Sequence, residues 1–144
     1  MMMLRLIGLL FLVGCSSSMV TRDTEPPQPR TCAIFDGETG EALIWPSLME
    51  RVNRADAVML GERHDDLMGH LVQQAILEDA PNSSGLALEM LERDEQPLLD
   101  DFRDGLIDQT TFQKLTESTN WAGAESWQTF YQPAIDLVLG RGGP

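Results

Sequence analysis

Apolar positions along the chain fall into short runs and helical stripes, and the spacing predicts an element for almost every segment. Ala33-Ile-Phe35 and Ala42-Leu-Ile-Trp45 flank Asp36-Gly-Glu-Thr-Gly40, whose two glycines suit a tight turn, so this stretch predicts an N-terminal hairpin. Pro46 opens a short helix through Val52, with Leu48 and Val52 on one face. Ala55-Asp-Ala-Val-Met-Leu60 and Leu86-Ala-Leu-Glu-Met90 are brief, nearly apolar runs, the pattern of buried strands. Between them Leu71, Val72, Ala75 and Ile76 share one stripe of a helix from about Leu67 to Asp79, and Asp65 and Asp66 are placed to cap it. Strand, helix, strand with short loops predicts a right-handed βαβ unit and a parallel sheet.

The C-terminal third reads as helical. Leu98, Leu99 and Phe102 mark one amphipathic segment, and Phe112 and Leu115 a second. Trp127, Phe130, Tyr131, Ala134, Ile135 and Val138 form a core-facing stripe, interrupted by Pro133, where a kink or break is expected. The fold class expected is therefore α/β: a partial parallel sheet with a βαβ core, an N-terminal hairpin and a helical C-terminal third. A last helix emptying into Gly140-Arg-Gly-Gly-Pro144 reads as a crossover whose next strand is missing, so residues 32–144 are expected to be an incomplete domain.

The first residues follow a different logic. Arg5, the apolar run Leu6 to Val13 and then Gly14-Cys15 describe a secretory signal peptide over residues 1–14, too short to span a bilayer. Leu12-Val13-Gly14-Cys15 resembles a bacterial lipobox, in which the Cys15 thiol takes the lipid and becomes the new N-terminus. Ser16 after the cysteine, by the same resemblance, implies delivery to the outer membrane, with the domain facing the periplasm. Residues 15–31, with Pro26, Pro27 and Pro29, read as a flexible tether. Cys32 is then the one remaining thiol, either a half-buried structural cysteine or a partner in a disulfide.

Composition narrows the partners. Twenty-three acidic against 10 basic residues give a formal charge of −13, which deepens by one when Arg5 leaves with the leader. Phosphate binding needs clustered Lys and Arg, so nucleic acid is not expected, and the membrane is reached through the lipid anchor alone. Two cysteines exclude a disulfide-rich scaffold and a four-cysteine zinc site.

Candidate chemistry collects where a parallel sheet places its sites, just beyond the strand ends. Gly61-Glu62-Arg63-His64 follows the first expected strand, Gly61 allowing a sharp turn into the loop, and Glu89 ends the second. His70, in the first turns of the following helix, can return to the same mouth. Glu62, His64 and Glu89 would make a mixed carboxylate–imidazole site suited to Mn, Fe, Co or Zn. Each has a plainer reading: Glu62 as an ion pair with Arg63 or Arg93, His64 as an exposed loop residue, His70 on a solvated helix face. A carboxylate inside Leu-Ala-Leu-Glu-Met is costly to bury unpaired, which makes Glu89 the least easily explained structurally.

At these residues the chain resembles a family. Val58-Met-Leu-Gly-Glu-Arg-His64-Asp65, then His70 and Gln73, then Leu86-Ala-Leu-Glu-Met90 with Gln96, then Trp127 and Tyr131-Gln-Pro133, are similar to the ChaN-like haem-binding uptake lipoproteins of the Tiki superfamily, from about Ala33 to Gly140. The resemblance implies a parallel α/β domain at the outer membrane that binds haem or serves haem-iron uptake. The wider superfamily includes metal-dependent proteases with a Gly-x-x-His motif and a glutamate, and esterases acting on macrolides; Gly61, His64 and Glu89 match that pattern, and Glu62 the ChaN-like form. The family domain runs on further, so the resemblance implies its N-terminal portion.

Two functions follow as expectations. The first is a haem carrier, with His64, His70 and Tyr131 as candidate iron ligands and Arg63 or Arg93 available to the propionates. Tyr131 also reads as core packing with its hydroxyl at the edge. The second is a metal-dependent hydrolase using Glu62, His64 and Glu89. An exposed edge of an unfinished sheet would favour a homodimer.

Overall fold

The computed structural model describes residues 28–122 and 126–142; the leader, Cys15 and most of the tether lie outside them. The predicted hairpin forms, with β1 (Ile34–Phe35) antiparallel to β2 (Ala42–Leu43), Ile34 opposite Leu43 and Phe35 opposite Ala42. Its turn is built by Asp36, whose carboxylate accepts the backbone N–H groups of Glu38 and Thr39, both at 2.9 Å, while Gly40 takes a left-handed φ of 74°. The other Asp36 oxygen accepts from Arg51 at 2.6 Å, tying the turn to α1 (Trp45–Arg54), which carries Pro46 in its first turn. The Thr39 N–H first, then Arg51 and the Glu38 N–H, hold the Asp36 carboxyl well below the usual carboxylate range.

Helix α2 (Leu67–Asp79) starts where expected, with Asp66 as its N-cap accepting from the Met68 N–H at 3.0 Å. Its C-terminal end gathers the two ends of the domain. Arg141 donates to the carbonyls of Leu77 and Glu78, both at 2.8 Å, satisfying groups that a helix end leaves without partners. Arg30 bridges Glu78 and Asp79, and the Trp45 indole N–H donates to Asp79 at 2.8 Å. Cations at this end also oppose the negative pole of the helix.

The C-terminal third is helical: α3 (Gln96–Arg103), α4 (Gln109–Thr116), α5 (Thr119–Ala122), a π-helical turn over Trp127–Tyr131 and α6 (Gln132–Gly140). The break expected at Pro133 is that π turn. Proline has no N–H to give to the preceding turn, and the wider winding ends just ahead of it, leaving Pro133 in the first turn of α6. Widening keeps the predicted stripe together: Trp127, Tyr131, Ala134, Ile135 and Val138 are all buried. With Met90 and Phe112, the first two and Ile135 form the core cluster, flanked by Leu98, Leu99 and Phe102. Phe112 is 0% exposed and sits between Phe102 and Trp127, with ring centroids 5.0 and 6.2 Å away.

The parallel βαβ core is not formed. Among the described residues the sheet has only the two hairpin strands, so the domain is helix-dominated and α/β in the broad sense alone. An apolar run becomes a strand only when another strand completes its ladder, and neither run has one here. In Ala55–Leu60 the side chains of Val58, Met59 and Leu60 face solvent, Met59 being 94% exposed. Leu86–Met90 keeps the period of a strand without its pairing: Leu86, Leu88 and Met90 turn inward to the aromatic core, and Ala87 and Glu89 turn out.

Core placement sets a stability test. Phe112→Ala should cost about 3–5 kcal/mol, because it opens a cavity in a region with no solvent to fill it. Met59→Ala should change stability by about 0.5 kcal/mol or less. Urea denaturation of the two variants beside the parent chain measures both; equal costs would mean that the core is not where the aromatic residues meet.

Candidate functional site

The loop from Gly61 to Asp66 is held on two elements by one side chain. Glu62 is 16% exposed, and its carboxylate reaches both α2 and the π turn. One oxygen, Oε1, accepts from the Tyr131 hydroxyl at 2.6 Å and from His64 Nδ1 at 2.6 Å. The other, Oε2, accepts from the Gln73 amide at 3.3 Å and faces His70 Nδ1 at 3.5 Å. Partial burial, the largest single influence, pushes the Glu62 carboxyl up; the hydrogen bonds from Tyr131, His64 and Gln73, with His70 nearby, outweigh it and hold the group below its ordinary value. An ionised carboxylate only accepts, so the His64 nitrogen facing it donates.

His70 serves as the wall behind this cluster. Its side chain is 3% exposed, stacked on Phe130 with ring centroids 4.0 Å apart and planes at 8°, and edge-on to Tyr131 at 5.4 Å. Its Nε2 lies 3.4 Å from the His64 carbonyl oxygen, so the ring also supports the backbone of the loop. Tyr131 is buried with its hydroxyl directed at Glu62. Burial first, then the hydrogen bond and charge of Glu62 and the more distant charge of Glu89, raise its phenol far above the usual value. His64 is the most exposed of the four, with 47% of its side chain accessible.

Four of the residues singled out in the sequence therefore meet in one place: Glu62, His64, His70 and Tyr131. Glu62 takes neither Arg63 nor Arg93 as its partner; Arg63 lies 3.6 Å from Asp65 on the surface. Glu89 occupies a different, polar hollow of about 260 Å³ shared with Glu92, Glu95, Thr116, Glu117 and Asn120. It lies in an exposed turn, so the cost of burying a carboxylate there does not arise. Among the described residues no group of three or more His, Cys, Asp or Glu is arranged to hold a metal ion. Gly61 has no left-handed φ, and a side chain there would meet nothing within 4 Å. The turn lies one step on, where the Asp66 N–H donates to the Arg63 carbonyl at 2.9 Å.

Two participants were not assigned from residue type. Phe130 was expected only as core, yet it is the ring on which His70 stacks. Gln73 follows His70 by three positions, which puts both on one face of α2; that spacing was the available signal for its donation to Glu62.

A separate, mainly apolar groove of about 300 Å³ is lined by Leu86, Leu88, Leu91, Ile135, Val138 and Leu139, with Glu92, Arg93 and Glu95 as its charged members. Ile135 and Val138 follow Tyr131 on α6, which places the groove roughly 6–10 Å along the helix from the tyrosine, at 1.5 Å per residue.

Glu62 thus gathers His64 from its own loop, His70 and Gln73 from α2 and Tyr131 from the π turn around one partly buried carboxylate. The family described as "Haem-binding uptake, Tiki superfamily, ChaN" matches residues 48–144, and the chain belongs to this family. Comparison with curated proteins and with solved structures finds no match.

The chain has a single tyrosine, so phenolate absorbance reports Tyr131 alone. Its raised folded-state value means that the phenol adds stability up to about pH 10, the ordinary value, and that this contribution is lost as pH rises further. In an alkaline titration the phenolate should appear only with unfolding, and in Glu62→Gln it should appear at lower pH. Ordinary titration near pH 10 in the folded parent would show that Tyr131 is not bound to Glu62.

Proposed function

We propose that this chain is a haem-binding domain that serves haem-iron uptake, with His64 as the iron ligand. Family membership supports the ligand, and one observation selects the residue. Of the three candidate ligands, His70 is enclosed between Phe130 and Tyr131, and Tyr131 spends its hydroxyl on Glu62, whereas the His64 ring stands at the surface.

The residues present suit the group. Haem would supply an iron and a flat apolar face. His64 offers an imidazole, and the groove along α6 offers aliphatic surface of the kind such a face needs. Arg93, which lines the groove together with Glu92 and Glu95 and makes no ion pair among the described residues, is the cation available there to a propionate within a strongly acidic chain. The metal-hydrolase alternative requires Glu89 together with Glu62 and His64, and Glu89 belongs to the other hollow.

Delivery belongs to the same proposal. The apolar run, Gly14-Cys15 and Ser16 support a lipid anchor in a bacterial outer membrane, with the domain on the periplasmic side. No helix among the described residues is long and apolar enough to cross a membrane.

Titrating the purified chain with haem should give a saturable Soret band. His64→Ala should weaken binding by more than the roughly 10–100-fold typical of losing a group behind a ligand. Arg93→Ala should weaken it less and leave the band position unchanged. An unaltered titration in His64→Ala would overturn the ligand assignment.

A further inference from the structure

We propose that the turn Pro29–Thr31 is a strap that fixes where the tether joins the domain, at the C-terminal end of α2, so that the anchored pole and the pole carrying His64 are opposite ends of that helix. The inference rests on the lipid-anchor reading above for the membrane, while the strap itself concerns the protein alone.

The strap is a single helical turn held down by one side chain. The Thr31 and Cys32 N–H groups close the turn by donating to the Gln28 and Pro29 carbonyls at 3.1 and 3.3 Å. From it Arg30 reaches the end of α2: Nε donates to one oxygen of Asp79 and Nη2 to the other, both at 2.9 Å, and Nη2 also donates to Glu78 at 2.7 Å. The guanidinium lies over Trp45, 5.9 Å from the ring centroid, and the indole N–H donates to the Asp79 oxygen that Nε uses. Asp79 therefore joins the strap, α1 and α2. Arg30 first, then Trp45, hold its carboxyl below the ordinary value, so the clasp is charged at neutral pH. A lone exposed ion pair contributes little, but a planar fork that engages two carboxylates is the arrangement that fixes geometry.

The position of the clasp sets the polarity. Arg141, near the other end of the described chain, grips the same last turn of α2 through the carbonyls of Leu77 and Glu78. His64 lies ahead of Asp66, the residue that caps the first turn. Thirteen helical residues separate the two, about 20 Å at 1.5 Å per residue. With the strap open, the next hydrogen bond from this end of the chain to a helix is the one between Asp36 and Arg51 of α1, so the join would leave α2 altogether.

Two measurements on the full chain test this. Trypsin must draw an arginine into its own pocket, and cleavage tracks the population of the open form. The Arg30–Thr31 bond should therefore be cut slowly in the parent and several-fold faster in Asp79→Asn, which keeps an acceptor for Trp45 and loses the charge. Equal rates would overturn the strap. For the polarity, the lipidated chain is placed on phospholipid vesicles carrying an acceptor dye in the headgroups, with Cys32→Ser as background. A donor dye at Asn82→Cys, exposed just beyond α2, should transfer more energy to the lipid than one at Asp65→Cys, beside His64. Arg30→Ala should shrink that difference. Equal or reversed transfer in the parent, or a difference untouched by Arg30→Ala, would overturn the polarity. If mass spectrometry finds no lipid on Cys15, the anchor reading fails while the trypsin rates still judge the strap.

Discussion

The hydrogen bond from the Tyr131 hydroxyl to the Glu62 carboxylate, 2.6 Å long, joins residues 69 positions apart and closes the site. One side of it is the loop ahead of α2, which has no sheet beneath it. The other is the π turn at the end of the aromatic core. A partly buried carboxylate is tolerable only with donors around it, and Tyr131, His64 and Gln73 supply them from three separate elements. The arrangement works in both directions: satisfying Glu62 holds the loop in place, and the placed loop brings His64 to the surface with its ring constrained.

The contrast between the two histidines is the chemical outcome. His70 belongs to the scaffold, flat against Phe130 and behind the His64 carbonyl. His64 belongs to the surface, with a carboxylate behind its ring. In a chain of charge −13, a dianionic ligand would have to be attracted by local groups or by apolar contact rather than by the overall field. The groove residues Ile135 and Val138 are themselves part of the buried stripe of α6, so that wall of the groove is continuous with the core.

Much of this was legible in the chain because it depends on local rules. The hairpin turn at Asp36, the Asp66 cap, the stripe from Trp127 to Val138 and the break at Pro133 each follow from residue type and spacing over a few positions. The site residues Glu62, His64, His70 and Tyr131 were picked out by their position after an apolar run and by resemblance, and they do converge. The sheet was not legible for a physical reason. Ala55–Leu60 and Leu86–Met90 have the composition of strands, but a strand is a pairing, and composition does not name the partner. Leu86, Leu88 and Met90 instead use their alternation to face the aromatic rings. Glu89 was judged by the cost of burial, and that argument lapsed once the residue lay in an exposed turn. The Phe130–His70 stack was equally hidden, because it joins the π turn to α2 across a long stretch of chain that no local pattern relates.

The central claim is that the Glu62–Tyr131 bond couples the loop to the core, and a double-mutant cycle in urea unfolding tests it most directly. Glu62→Ala, Tyr131→Phe and the double variant should be non-additive by about 1.5–3 kcal/mol, the range for a hydrogen bond to a charged group. Additive costs would contradict the account, because the two residues would then be holding the loop and the core independently.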